Sequence, residues 1–241
     1  IVTSSGPVTV AGADNSELRM LTVANVGSAT GEVHVVLIDG VSQRMSEVTV
    51  TGEASTATGH RLNGVMVRGG ANVDLGSLTI QLDGGDSCTG VVVTEAATTL
   101  VLRNSSVTVG SAGGVCYGAG ASGGATAVLV DSAFRASNVF HHCVVSGTGA
   151  LVRLRGTRAI HASASGTAVL AAGPSSGGGR IEITHSTIEG KIGAIAPGYV
   201  RIGSTQFSGS VGVSSPPGEV KCVASYNGDF GALDSACAVA P

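Results

Sequence analysis

The chain alternates apolar and polar positions in short segments that share one frame. In the segment from Leu102 to Val109, apolar residues stand at Leu102, Val107 and Val109, and a hydroxyl stands at Ser105. The frame recurs behind the apolar residues Leu75, Leu129, Leu154, Ile183 and Ile202, with Leu78 replacing the hydroxyl in the first of these. The leading residues are 27, 27, 25, 29 and 19 positions apart. This period, with strand-like alternation and no helical pattern, predicts a solenoid in which each repeat forms one turn, or rung.

A second repeated pattern supports the same period. The sequence x-x-Gly-(Val/Ala) places glycines at 64, 90, 118 and 193, and related segments centred on 143 and 167 occupy the two rungs between. These positions step by 26, 28, 25, 24 and 26. Each rung therefore divides into three short strands: one after the glycine, one before the hydroxyl and one after it. We expect parallel sheets with inward columns of Val, Ile and Leu.

The pattern divides the chain into three parts. Residues 43–213 hold the regular array, which predicts seven or eight rungs of 24–30 residues. Residues 1–42 contain less regular strand-like segments, which we interpret as an N-terminal cap with imperfect first rungs. Residues 214–241, which begin with the turn-forming segment Ser214–Gly218, form a C-terminal capping segment. A cap is expected because exposed strand edges invite pairing with other chains.

Composition excludes several classes of protein. Gly makes up 38 of 241 residues and Trp is absent, which argues against a globular core built on aromatic side chains. A mean hydropathy of +0.38 nevertheless supports a long, thin core. The net charge is −3 with no run of Lys or Arg, so we expect no nucleic-acid partner. No apolar stretch reaches the roughly 18 residues needed to span a bilayer, so we expect no membrane span.

The hydroxyl position of the frame predicts a structural ladder. A Ser or Thr side chain at a corner can bond to neighbouring backbone and to the next rung. The ladder residues are Ser105, Ser132, Thr157, Ser186 and Thr205. We interpret them as structural rather than as nucleophiles.

The five cysteines form no CxxC pair, which argues against structural zinc. Cys88 and Cys116 occupy the same place in consecutive rungs, about 5 Å apart, so they form either a disulfide or a pair of stacked thiols. Cys222 and Cys237 stand at the two ends of the cap and predict a disulfide, which fits an exported protein. Cys143 is expected to be a free, buried thiol.

The frame at Leu102–Val107 and Ile183–Ile188, combined with x-x-Gly-Val, resembles bacterial parallel β-helix proteins of the pectin-lyase-like class. The ending from Val220 to Leu233 is also similar to the terminal segment of such exported proteins. The resemblance covers about residues 43–237 and implies a right-handed, single-stranded parallel β-helix. It implies little about activity, because this architecture hosts lyases, hydrolases, tailspikes, adhesins and surface proteins.

Enzymes of this class resemble one another in clustering Asp, or Asp with Arg or Lys, on one exposed sheet, and their hydrolases add Asn-Thr-Asp, Asp-Asp, Gly-His-Gly and Arg-Ile-Lys segments. None of these segments occurs here. The nearest acidic pair, Asp83 and Asp86, lies in a Gly-rich loop. These two residues could form a turn, make a weak contact to Ca²⁺ or act as a catalytic pair. The sequence thus predicts no catalytic residues and no cofactor.

Two further groups are candidates for binding. Arg153 and Arg155 flank an inward leucine and, with Arg158, form either a solvated face or a patch that contacts an anionic glycan or a carboxylate-bearing surface. The histidines 141, 142, 161 and 185 fall on adjacent rungs. We interpret them as surface or corner residues, and we predict no metal site.

The leading functional hypothesis is an exported, non-enzymatic β-helix at the cell surface or outside the cell. It would act as a rigid, adhesive or filament-forming module, with self-association or a contact to glycan or cell surface. The alternative is a β-helix protein that binds carbohydrate or cleaves polysaccharide on one sheet face. Clustered Asp or Arg on stacked rungs would support that alternative.

Overall fold

The computed structural model describes residues 1–26, 31–54, 60–84, 86–110, 114–137, 141–163, 166–173, 177–195, 197–214, 218–227, 229 and 231–238. These residues form 26 strands, and every pairing between the strands is parallel. The protein is therefore an all-β parallel solenoid. Residues 215–217 of the turn-forming segment predicted at 214–218 lie outside the described residues.

The strands are short, as expected for the sides of a solenoid. Their bounds are β1 Val2–Ser4, β2 Val8–Ala11, β3 Ser16–Asn25, β4 Glu32–Asp39, β5 Gln43–Ala54, β6 Arg61–Arg68, β7 Asn72–Gly76, β8 Thr79–Gly84, β9 Ser87–Val93, β10 Thr99–Arg103, β11 Ser106–Gly110, β12 Val115–Ala121, β13 Thr126–Val130, β14 Ala133–Ala136, β15 His142–Ser146, β16 Leu151–Arg155, β17 Arg158–His161, β18 Thr167–Ala171, β19 Arg180–Thr184, β20 Thr187–Glu189, β21 Lys191–Ile195, β22 Tyr199–Gly203, β23 Gln206–Ser208, β24 Val211–Ser214, β25 Glu219–Val223 and β26 Tyr226–Asn227.

The strands stack into three faces. Face 1 contains β7, β10, β13, β16, β19, β22 and β25, and face 2 contains β8, β11, β14, β17, β20, β23 and β26. The long strands β3 and β5 continue both faces toward the N-terminus, and β1 adds to face 2. Face 3 is a nine-stranded sheet of β2, β4, β6, β9, β12, β15, β18, β21 and β24. The N-terminal strands β2 and β4 thus pair within the same stack as the regular repeats.

The core runs along the axis as columns of inward side chains. On face 1, the register places the leading residues of the repeat directly over one another: Leu75, Leu102, Leu129, Leu154, Ile183 and Ile202. All six are buried. Because each strand alternates inward and outward side chains, the residues on either side of these positions face solvent.

The glycine column of face 3 follows the sequence pattern only in part. Gly64, Gly90 and Gly118 stack at a point where the rungs approach closely: a Cβ added to Gly90 would lie 2.5 Å from the carbonyl oxygen of Gly118. Positions 167 and 193 of the sequence pattern do not continue this column. A register shift between Thr167 and Val169 pairs Gly193 with Leu170 instead. Such one-residue irregularities leave the repeat period almost unchanged, so the spacing could not reveal them.

The corner between faces 1 and 2 turns through one left-handed residue in each rung. Asn104, Asp131 and His185 have φ of 49°, 46° and 50°, and Gly156 at 63° occupies the same position in the rung between. The N–H of each such residue donates to a carbonyl oxygen of the next rung, as from Asn104 to Val130 at 3.1 Å. Asn, Asp and Gly tolerate this conformation best, which explains several of the residues found at the corner.

The end of the chain folds back over the last strands. Cys222 N–H donates to the carbonyl of Ser235, and Leu233 N–H donates to that of Ser225. Tyr226 and Ala232 form an antiparallel bridge. These contacts occupy backbone groups of the terminal rung that would otherwise be available for pairing.

Candidate functional site

The hydroxyls at the corner form hydrogen bonds both within and between rungs. Ser132 Oγ accepts the N–H of Ser105 at 3.1 Å and donates to the carbonyl of Val130 at 2.8 Å. Equivalent bonds between rungs link Leu78 to Ser105, Thr157 to Ser186, and Ser186 to Thr205. The ladder hydroxyls are buried, and each one donates a hydrogen bond to a backbone carbonyl. These hydroxyls therefore serve the backbone of the corner and do not face a ligand.

Replacing Ser132 by alanine is expected to lower the free energy of unfolding by about 1–3 kcal/mol, because the buried N–H of Ser105 loses its acceptor. Urea denaturation followed by circular dichroism measures this loss. The matched control is Ser106→Ala, which removes an exposed hydroxyl on the neighbouring strand β11 and should change the free energy by less than about 0.5 kcal/mol. Equal losses in the two variants would contradict a role for the ladder.

Both cysteine pairs considered from the sequence are joined in the structure. The disulfide Cys88–Cys116 links adjacent strands of face 3, with Cα atoms 4.4 Å apart. The disulfide Cys222–Cys237 fastens the folded-back tail to β25, with Cα atoms 5.1 Å apart. Cys143 is free and buried, and burial raises the pKa of its thiol to about 12. It therefore stays protonated and unreactive at neutral pH.

The three candidate arginines do not share one face. Arg153 and Arg155 project from β16 on face 1, whereas Arg158 lies beyond the corner on β17 of face 2. Arg153 pairs with Glu182 at 2.9 Å, and Arg180 reaches the same carboxylate at 3.2 Å. Arg158 lies 3.7 Å from Glu189. Arg155 has no ion-pair partner among the described residues, so the positive charge of the predicted patch is partly neutralised by the next rung.

The carboxylates are arranged differently from the sequence interpretation. Asp83 belongs to the end of β8 and Asp86 precedes β9, and both are exposed. The register instead aligns Asp83 with Glu53 of β5, so these two side chains are neighbours on face 2. A shallow groove of about 420 Å³ runs beside them. Sequence reasoning missed this pairing because the two residues lie in different rungs and their alignment depends on the register between β5 and β8.

Two of the histidines lie in the interior, so the surface or corner interpretation is wrong for them. The inward alternation of β17 continues through His161, and Gly166 leaves room for its ring because a Cβ there would overlap it. His161 Nε2 lies 3.1 Å from the carbonyl of His141, whose own Nε2 lies 3.1 Å from the carbonyl of Gly114. His185 is exposed at the corner, as expected.

Desolvation by burial lowers the pKa of His34, His141 and His142 below the ordinary 6.5. Below pH 6.5 the unfolded chain binds more protons at these histidines than the folded chain does. Their contribution to the free energy of unfolding is therefore fully present above pH 6.5 and is lost as the pH falls through their pKa in the folded protein. We expect a lower urea midpoint at about pH 5.5 than at about pH 7.5. The variant His141→Gln should show a shallower pH dependence, and an unchanged dependence would contradict the contribution of this residue.

The outer surface of face 3 carries a groove that sequence reasoning missed. Met66, Val92 and Val145 form an apolar floor, and Tyr117 stands beside them in a groove of about 420 Å³. Polar residues along its edge are Glu32, Arg61, Asn63, Ser87, Thr89 and Ser122. The one available signal was alternation, since Tyr117 follows the inward Cys116.

Tyr117 stacks on the next rung. Its ring lies 5.6 Å from that of His142, with an angle of 18° between the planes. His142 also borders a second groove with Thr167, Leu170 and Lys191. The two rings therefore form an aromatic surface in the middle of face 3, between the groove beside Tyr117 and the groove beside His142. Such a surface can stack against a flat apolar group of a ligand.

In the described part of the chain, no three His, Cys, Asp or Glu side chains converge to hold a metal ion. The same residues include no helix long and apolar enough to cross a membrane.

These features define a class of protein, the parallel β-solenoids. Comparison with known proteins adds no closer relation: no family model matches the sequence, and no curated protein or solved structure is significantly similar to it.

Proposed function

We propose that the chain is an exported, non-enzymatic structural module that serves as a rigid solenoid at the cell surface or outside the cell. The observation that carries this proposal is the cross-linked stack. One disulfide joins two adjacent rungs in the interior, and a second fastens the tail over the last rung. Disulfides persist in oxidising compartments, where such cross-links can stabilise an extracellular protein.

Ion pairs on the outer surface of the rod also connect neighbouring rungs. Ion pairs join neighbouring rungs at Arg68–Asp39, Arg103–Asp74 and Arg153–Glu182. Each exposed pair contributes little alone, but the ladder and the parallel sheets bind every rung to the next. The repeated frame and the three-faced stack support placing this solenoid in the pectin-lyase-like class.

Counting free thiols in the native protein tests export. Protein extracted from its own cells is denatured without reductant in the presence of a maleimide, and the added mass is measured. We expect one label, on Cys143, because the other four cysteines are paired. Five labels would show a reducing compartment and overturn the proposal. Labelling intact cells with an impermeant biotin reagent then separates a surface location from a secreted one.

A second candidate function is carbohydrate binding along face 3. The specific observation that favours it is the stacked pair Tyr117–His142 between two grooves whose edges carry hydroxyl, amide and charged groups. Sugar rings present apolar C–H faces that stack on aromatic side chains, and their hydroxyls need polar partners at the edge. Cleavage of a polysaccharide at this site is the corresponding enzymatic possibility.

Titration calorimetry with neutral oligosaccharides tests this candidate. Tyr117→Ala is expected to weaken binding by about tenfold, corresponding to one lost stacking contact. The matched control is Tyr199→Ala, which removes a tyrosine from face 1. Absence of binding by the unmodified protein, or equal weakening in both variants, would rule out this site. Release of new reducing ends would show cleavage and overturn the non-enzymatic assignment.

A further inference from the structure

Charge is distributed unevenly along the rod. Residues 1–100 contain ten acidic and four basic residues, a net charge of −6, whereas residues 101–201 contain eight basic and three acidic residues, a net charge of +5. In a solenoid, position in the sequence becomes position along the axis. The N-terminal half of the rod is therefore negative and the following half positive, although the whole chain carries only −3.

Face 2 shows the same division on a single surface. Glu53 on β5 and Asp83 on β8 are exposed register neighbours. Arg135 on β14 and Arg158 on β17 project from the same face in the positive half. Among the described residues, Glu53, Asp83 and Arg135 have no ion-pair partner. These charges are therefore available to a second surface of opposite sign.

The central strand of this face permits close approach. Between the acidic and basic residues lies β11, whose outward residues are Ser106, Thr108 and Gly110. No long side chain rises from this strand. A second surface can therefore come close to face 2 at its centre.

The charges are also arranged symmetrically about β11. The register places β8 one rung before β11 and β14 one rung after it. A twofold axis along β11 would therefore lay β8 of one copy over β14 of another. Asp83 and Arg135 lie in columns two residues apart, because Gln81, Thr108 and Arg135 align. That offset is about 7 Å, which an extended arginine side chain spans.

We propose that two copies of this chain associate side by side and antiparallel through face 2. Asp83 of each copy meets Arg135 of the other, so one contact is made twice, as in any twofold interface. This inference rests on the proposed role as a structural module and gives that module its partner.

The size of the face sets the expected strength. Of the ten strands on face 2, nine overlap when the twofold axis lies along β11. At about 4.8 Å per strand and about 15 Å of strand length, they cover about 650 Å² per copy, or about 1,300 Å² in total. This area is at the lower end of specific interfaces, so the association is weak. Because its specificity comes from exposed charges, it is also sensitive to salt.

Sedimentation equilibrium of the full chain tests the proposal. We expect a monomer–dimer equilibrium at about 50 mM NaCl. It should shift to monomer at about 500 mM, because the Debye length there is only a few ångströms and the charges on the two copies no longer attract one another. A monomer at all concentrations in low salt would overturn the proposal. Small-angle scattering of the high-salt monomer reports the shape of the rod itself, so failure to dimerise would leave the structural role standing.

Charge exchange tests the interface residue by residue. Asp83→Arg and Arg135→Glu should each weaken dimerisation by at least about tenfold, and the double variant should restore it. The control is Arg201→Glu, which makes the same change of charge in the same half of the rod but on face 1. Equal weakening by R201E and R135E, or no recovery in the double variant, would overturn the proposed interface. Circular dichroism verifies that each variant is folded.

Discussion

Replacing Phe134 by alanine is expected to lower the free energy of unfolding by about 3–5 kcal/mol. Phe134 is among the largest fully buried side chains. Its register neighbours on face 2 are Val107 and Ala159, and a Cβ added to Gly118 would lie 3.2 Å from its ring. These neighbours are small and held by backbone hydrogen bonds, so they cannot fill the cavity that alanine would leave.

Urea denaturation of Phe134→Ala against the unmodified protein measures the loss. The comparison variant is Phe134→Leu, which keeps most of the volume and should cost less than about 1.5 kcal/mol. A loss below about 1 kcal/mol for the alanine variant would show that the neighbouring rungs collapse into the space.

Removing the interior disulfide is the second change with a large expected effect. Cys88 and Cys116 are 28 positions apart, and their bond restricts the unfolded chain over that interval. Replacing both by alanine is expected to lower the free energy of unfolding by about 3–4 kcal/mol. Alanine avoids burying a new polar group on face 3.

The second disulfide provides the comparison. Cys222 and Cys237 are 15 positions apart and fasten only the tail. Replacing this pair should release the tail locally, because solenoid rungs contact mainly their neighbours. Hydrogen exchange read strand by strand distinguishes the outcomes: increased exchange near β9 and β12 for the first variant, and near β25 for the second. Identical exchange patterns would contradict this separation.

The repeat period predicted the architecture because inward positions recur at nearly constant spacing. The column from Leu75 to Ile202 and the closeness of Cys88 to Cys116 follow directly from that spacing, which left open whether these two thiols are joined. The pair Cys222–Cys237 was predicted instead from its position at the two ends of the cap. The register shift near Thr167 could not be predicted, because one extra residue in a strand does not change the repeat pattern.

Surface features were harder to predict than the core. The shared contact of Arg153 and Arg180 with Glu182 depends on register between rungs, as does the stacking of Tyr117 on His142. The inward position of His161 was accessible from the alternation of β17, but a polar residue in a thin core contradicts composition-based expectation. The structure accommodates it by pairing its ring with backbone groups.

The left-handed corner has a consequence for how such a rod can change in length. Asn104, Asp131 and Gly156 make the same turn, so the backbone conformation at this corner repeats in three successive rungs. A repeat that is duplicated or deleted between two of these corners therefore joins matching backbone, and the rod grows or shrinks by about 4.8 Å each time. Duplication of genetic segments of about one rung would thus yield folded proteins of graded length, whereas a partial rung would shift the corner and disrupt every ladder that passes through it.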